Sequence, residues 1–155
     1  MTLTCFLPDE AATVEFGKTL ARATNGKGLI TLSGNLGTGK TTMSRGIIQA
    51  LGHEGPVKSP TYTLVESYET GEIRAFHFDL YRLEDPEELE FIGLWDYLDQ
   101  NALILVEWPE KAFGVLPSPD LALTLESRDG GRQIICTPGN ARGETLCAQL
   151  THLYS

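Results

Sequence analysis

The run Gly34-Asn35-Leu36-Gly37-Thr38-Gly39-Lys40-Thr41 matches G-x-x-x-x-G-K-[S/T] at every defined position. Each residue type in that pattern has work to do on a polyphosphate. Glycines let the main chain curl so that successive N–H groups face phosphate oxygens, and a helix starting at Lys40 adds the positive end of its dipole. The Lys40 ammonium then reaches the β- and γ-phosphates of a nucleoside triphosphate, and the Thr41 hydroxyl ligates a magnesium ion bridging them. The candidate nucleotide-binding residues are therefore Asn35, Leu36, Gly37, Thr38, Gly39, Lys40, Thr41 and Thr42. At ordinary residue frequencies the pattern arises by accident in about 0.5% of chains this long. A plain glycine-rich turn is the alternative.

A phosphate-binding loop alone does not hydrolyse anything, so a second acid is expected where an apolar strand ends. Glu107 follows ALILV directly and is placed to hold the metal, directly or through water. Asp79, which closes the half-polar run IRAFHFD, competes for that role or for orienting the attacking water. An ordinary strand-end carboxylate is the plainer reading of either. Thr61, in KSPTYT, lies where many such proteins carry a switch that feels the γ-phosphate, against a simple turn into a strand. Trp108 precedes Pro109, which disfavours a helical conformation and holds the indole either beside the site or in the core. Lys111 reads more simply as a solvated lysine than as a phosphate contact.

The elements that must position these groups follow from local pattern. Residues 2–7 read as a strand; Asp9 caps a helix carrying Ala12, Phe16, Leu20 and Ala23, which Asn25 and Gly26 can end. Gly28 to Ser33 reads as a buried parallel strand leading into the loop, and Lys40 to Leu51 as the helix after it. Residues 62–69 and 73–81 form one hairpin pattern, with Phe76, Phe78 and Leu80 on one face and His77, Asp79 and Tyr81 on the other. A helix starts at Asp85-Pro86, residues 102–106 make a central strand, 121–126 and 132–137 flank a second turn, and 140–150 closes the chain as a helix. The fold expected over residues 1–155 is a single α/β domain of the P-loop NTPase type. Its central sheet is mixed and mostly parallel, with flanking helices and β-hairpins.

Composition narrows the function classes. At 155 residues, 41% apolar and 21% charged, the chain suits one ordinary core, and no apolar run approaches the 18 or so residues of a membrane span. A net charge of −9 opposes autonomous binding of nucleic acid or acidic membranes. Cys5, Cys136 and Cys147 have no CxxC spacing and His53, His77 and His152 are scattered, so neither a disulfide framework nor a zinc site is expected. No basic residue precedes the short apolar run at the start, which is wrong for a signal peptide and sets the expectation of a cytoplasmic location. Glu84, Asp85, Glu87, Glu88 and Glu90 crowd together, either as a solvated face or as a docking surface for a basic partner.

Taken together, GNLGTGKTT, SPTYTLVESYE, HFDLYRLEDPEELEFIGLWDYL and ILVEWPEK resemble the bacterial TsaE (YjeE) family of P-loop ATPases in tRNA threonylcarbamoyladenosine synthesis, by motif over about residues 28–116. The resemblance implies binding of ATP and Mg2+, slow hydrolysis by the chain alone, and action with the TsaB and TsaD proteins. In that system TsaD transfers the threonylcarbamoyl group to adenosine 37 of tRNAs reading codons that begin with A, and ATP turnover resets the complex. Carried over, Lys40 and Thr41 become the phosphate and magnesium contacts, Glu107 the second metal contact, and Asp79 and Trp108 residues needed for activity. The acidic balance fits contact with tRNA only through partners. No N-K-x-D stretch speaks for guanine.

A small-molecule kinase is the rival, but kinases shield the phosphoryl group with clustered arginines on a closing lid. The arginines here, at 22, 45, 74, 82, 128, 132 and 142, are dispersed along the chain. A nucleotide-gated binding module without meaningful hydrolysis is a third reading.

Overall fold

The computed structural model describes residues 2–57 and 63–154. The chain runs β1 (Leu3–Leu7), α1 (Glu10–Thr24), β2 (Gly28–Ser33), α2 (Lys40–Ala50), β3 (Val65–Thr70), β4 (Ile73–Asp79), α3 (Glu87–Phe91), α4 (Leu94–Leu98), β5 (Leu103–Glu107), a 3-10 turn (Pro109–Ala112), β6 (Leu121–Arg128), β7 (Gly131–Pro138) and α5 (Ala141–Tyr154). The strands form one seven-stranded sheet in the order β1-β7-β6-β2-β5-β4-β3. Its centre is parallel, β6 and β5 flanking β2 and β4 flanking β5, while β1–β7, β6–β7 and β3–β4 pair antiparallel toward the edges.

Both faces of the centre are covered, which explains why β5 reads as an unbroken apolar run. Leu103 and Leu105 pack with Phe16 and Leu20 of α1, Ile47 of α2 and Leu150 of α5. Ile104 and Val106 pack with Phe76, Phe78, Leu89 of α3 and Leu94 of α4. On the first face α1 and α2 touch backbone to backbone: a Cβ on Gly17 would lie 2.8 Å from the Met43 carbonyl oxygen, and one on Gly46 2.7 Å from that of Val14. Two glycines thus allow the helix that follows the phosphate-binding motif to sit flat against its neighbour.

The expected caps are present. Asp9 accepts the Ala12 N–H at 2.8 Å, and Asn25 ends α1 in the left-handed conformation at φ 55°. Differences from the sequence reading have local causes. β4 stops at Asp79, whose carboxylate accepts the Tyr81 N–H at 3.1 Å and turns the chain away from the strand direction. β3 begins at Val65, after Leu64 at φ 65°. The helix beginning near Pro86 breaks at Gly93, φ 83°, into two five-residue pieces. α5, opened by Asn140 accepting the Gly143 N–H at 2.9 Å, continues to Tyr154.

Candidate functional site

The C-terminal ends of β2, β4 and β5 meet at one edge of the sheet, the position where open α/β sheets hold ligands. Register places Leu32 beside Glu107 and Glu107 beside Asp79. Residues 34–39 carry the chain from β2 into α2. Gly34, Gly37 and Gly39 all have positive φ, and Gly39 precedes α2 with no side chain bonded to the first amides of that helix. Such amides are a ready anion site. The loop's carbonyls are taken by side chains: the Thr38 hydroxyl donates to Asn35 at 2.7 Å, Arg132 Nη2 to Gly37 at 2.9 Å, and Lys40 Nζ to Gly34 and Asn35 at 2.6 and 2.8 Å.

Two acids face this loop. Glu107 is 2% exposed; its Oε1 accepts the Thr41 hydroxyl at 3.1 Å, while Oε2 lies 3.4 Å from Ser44 Oγ and 2.5 Å from His77 Nε2. Asp79 is likewise buried, at 8% exposure. Burial pulls the Lys40 ammonium below the usual lysine range, and the negative charges of Glu107, Asp79 and Glu110 push it part of the way back. The Trp108 ring lies over Lys40, its centroid 4.4 Å from Nζ, and Tyr81 packs on the same indole at 5.0 Å between centroids. Trp108 is held at φ 60°, ψ 50°, a left-handed conformation that costs a bulky residue about 1–2 kcal/mol. Pro109 removes the helical alternative. The sequence allowed either a place beside the site or core packing, and the indole has both: it lines the cleft and packs against the core cluster of β4 and β5.

A cleft of about 450 Å3 opens between loop and acids, lined by Leu36, Gly37, Gly39, Lys40, Thr41, Thr42, Asp79, Glu107 and Trp108 among others. Of the remaining expected residues, Asn35 is exposed in the loop and Thr38 is buried as its brace. Thr61 lies outside the described residues. Lys111 is exposed at the surface. Sequence reasoning passed over His77, Ser44, Tyr81, Arg82 and Arg132. Tyr81, Arg82 and Arg132 line the cleft, so arginines far apart in the chain do converge on it. For His77 the signal was present, since alternation along IRAFHFD puts it on the face of Asp79, whereas Tyr81 follows the turn that ends the strand. For Arg132 only the sheet order could have revealed it.

The donor set suits magnesium better than a metal with a full protein cage. Among the described residues no three His, Cys, Asp or Glu side chains group as ligands. One carboxylate, one hydroxyl and phosphate oxygens are the usual magnesium complement. Thr41 can donate its hydrogen to Glu107 and still offer a lone pair to a cation. No helix among the described residues is long and apolar enough to cross a membrane.

Similarity to known proteins gives the family and the fold. A relative from Haemophilus influenzae, the "tRNA threonylcarbamoyladenosine biosynthesis protein TsaE", is 46% identical over 138 residues, covering 86% of this chain and 87% of that protein. The protein of the same name from Bacillus subtilis is 37% identical over 124 residues, 79% of this chain and 77% of that one. The crystal structure of Bacillus subtilis YdiB matches with a TM-score of 0.83 at 28% identity, covering 99% of this chain and 96% of that chain. The family model described as "Threonylcarbamoyl adenosine biosynthesis protein TsaE" matches residues 7–134, and the chain belongs to the TsaE family.

Proposed function

We propose that this chain binds ATP with magnesium and hydrolyses it in tRNA threonylcarbamoyladenosine synthesis, acting in the cytoplasm with TsaB and TsaD and meeting tRNA only through them. The observation that carries the reading is the Thr41–Glu107 contact, which joins the first turn of α2 to the end of β5 beside Lys40. Amides of the loop and of the first turn of α2 hold the phosphate oxygens. The Lys40 ammonium moves from the carbonyls of Gly34 and Asn35 to the β- and γ-phosphates, and Trp108 keeps that charge under an aromatic roof. Thr41 and Glu107 would hold a magnesium ion, which would supply charge neutralisation for the phosphates. Asp79 orients the attacking water, Thr61 senses the γ-phosphate, and turnover resets the complex between rounds of tRNA modification. Three free thiols and a chain net charge of −9 support a reducing compartment and indirect contact with RNA.

One observation favours a second reading, a small-molecule kinase: Arg82 and Arg132 both line the cleft that holds Lys40. Phosphate release measured with and without TsaB and TsaD separates the two. Stimulation by the pair supports the ATPase, and label transferred from ATP to a metabolite replaces it with the kinase. Reconstituted tRNA modification with the chain omitted, present, or carrying Lys40→Ala tests the role in the pathway.

A further inference from the structure

His77 sits in the middle of β4 with 0% exposure, among residues such as Phe76 and Phe78 that fill the same strand with apolar bulk. Its Nε2 lies against Glu107 Oε2, and its Nδ1 is buried without a hydrogen-bond partner, the one such side-chain atom among the described residues. Burying a polar ring with one nitrogen unmatched is unfavourable, and an aliphatic side chain would fill the space without that cost. The ring's other nitrogen is what distinguishes it from a filler. A carboxylate oxygen is an acceptor, so the pairing assigns the hydrogen to Nε2. Ser44 offers little competition, because its single hydroxyl has the Lys40 carbonyl oxygen at 3.0 Å from Oγ and Glu107 Oε2 only at 3.4 Å.

We infer that His77 is a positioning residue for the metal carboxylate: it pins Oε2 of Glu107 from inside the sheet, leaving Oε1 as the oxygen presented to Thr41 and to the cation. This rests on the magnesium–ATP reading and deepens it. Partners that orient a metal ligand from behind typically change metal affinity by about 10–100-fold when removed. Without the pin, only the hydroxyls of Thr41 and Ser44 orient the Glu107 carboxylate, and a cation meets a less ordered ligand.

The test compares the parent chain with His77→Leu, His77→Gln and His77→Asn. Gln carries its amide N–H near the position of ring Nε2, whereas Asn stops short of Glu107. The expected result is a rise of about 10–100-fold in the magnesium concentration giving half-maximal hydrolysis for Leu and Asn, with a smaller change in kcat at saturating magnesium and substantial recovery in Gln. Binding of Mn2+ in the presence of a non-hydrolysable ATP analogue, read by electron paramagnetic resonance, should weaken in the same order. In a Glu107→Ala background His77→Leu should add nothing to the metal dependence. An unchanged magnesium midpoint and Mn2+ affinity in folded His77→Leu overturns the inference. If Leu does not fold, equal midpoints and Mn2+ affinities for Gln and Asn overturn it. A parent chain that binds neither MgATP nor Mn2+ with the analogue instead removes the reading beneath it.

Discussion

The first and second glycines of the loop are needed for different physical reasons, and alanine tells them apart. A Cβ on Gly34 would lie 2.4 Å from the Leu125 carbonyl oxygen and 2.7 Å from Thr38 Oγ1, at φ 146°, whereas a Cβ on Gly37, at φ 78°, would meet nothing within 4 Å. Gly37→Ala therefore meets only the left-handed penalty, about 1–2 kcal/mol. Gly34→Ala meets a backbone penalty of about 1–3 kcal/mol and also forces main chain of β6 aside, an overpacking cost of about 1–3 kcal/mol. The totals centre on about 1.5 and 4 kcal/mol. For a chain of this length each kcal/mol lowers Tm by about 2–4 °C, giving falls of about 4 °C for Gly37→Ala and 12 °C for Gly34→Ala. Far-UV circular dichroism melts without nucleotide read this directly. Equal losses, or a larger loss at Gly37, refute the claim that Gly34 is required by the backbone of β6.

Saturating MgATP, at about 100 times its Kd, is expected to stabilise the chain by about 2.7 kcal/mol, or roughly 5–10 °C in a thermal shift assay. Lys40→Ala should lose most of that shift, and a mutant that responds like its parent moves the phosphates elsewhere. Glu107→Ala should retain nucleotide binding with a weaker dependence on magnesium, whereas an unchanged magnesium titration hands the role to Asp79. Burial pushes the Cys5 thiol up to about 11 and raises Cys136 and Cys147 as well. The fold holds these protons more tightly than the unfolded chain does. Their contribution is complete below the ordinary thiol range and is lost as pH climbs from about 8.5 toward 11. Urea midpoints should therefore fall between pH 8 and 10.5, and less steeply in Cys5→Ala. A flat profile shows that the thiols are not so buried.

What the sequence disclosed about the site depended on whether the cause was local. The place of the loop at the cleft was legible from glycines, a lysine and a hydroxyl at fixed offsets after an apolar strand, and that of Glu107 from the end of a second apolar strand. The family resemblance of the four motif segments agrees with the family model, and the parallel centre of the sheet was readable from apolar runs. His77 was harder. IRAFHFD alternates as though its polar side faced outward, yet residues 75–79 are all buried. Leu105, next to His77 across the sheet, packs with α2 on that side. The convergence of Arg82 and Arg132 was out of reach, because it follows from strand order rather than spacing, and it removes dispersal along the chain as an argument against phosphoryl transfer. The break at Gly93 was available as a glycine, but within a helical pattern it carried no unique reading.

The tether on Lys40 bears on speed as much as on affinity. With two of its three hydrogens on the carbonyls of Gly34 and Asn35 and its charge under an indole, the lysine side chain is already immobilised by the protein itself. About 2 kcal/mol of rotamer freedom is thus surrendered during folding and not when an anion arrives. On the proposed reading, an incoming phosphate would exchange one set of acceptors for another, with no search by the lysine for its target.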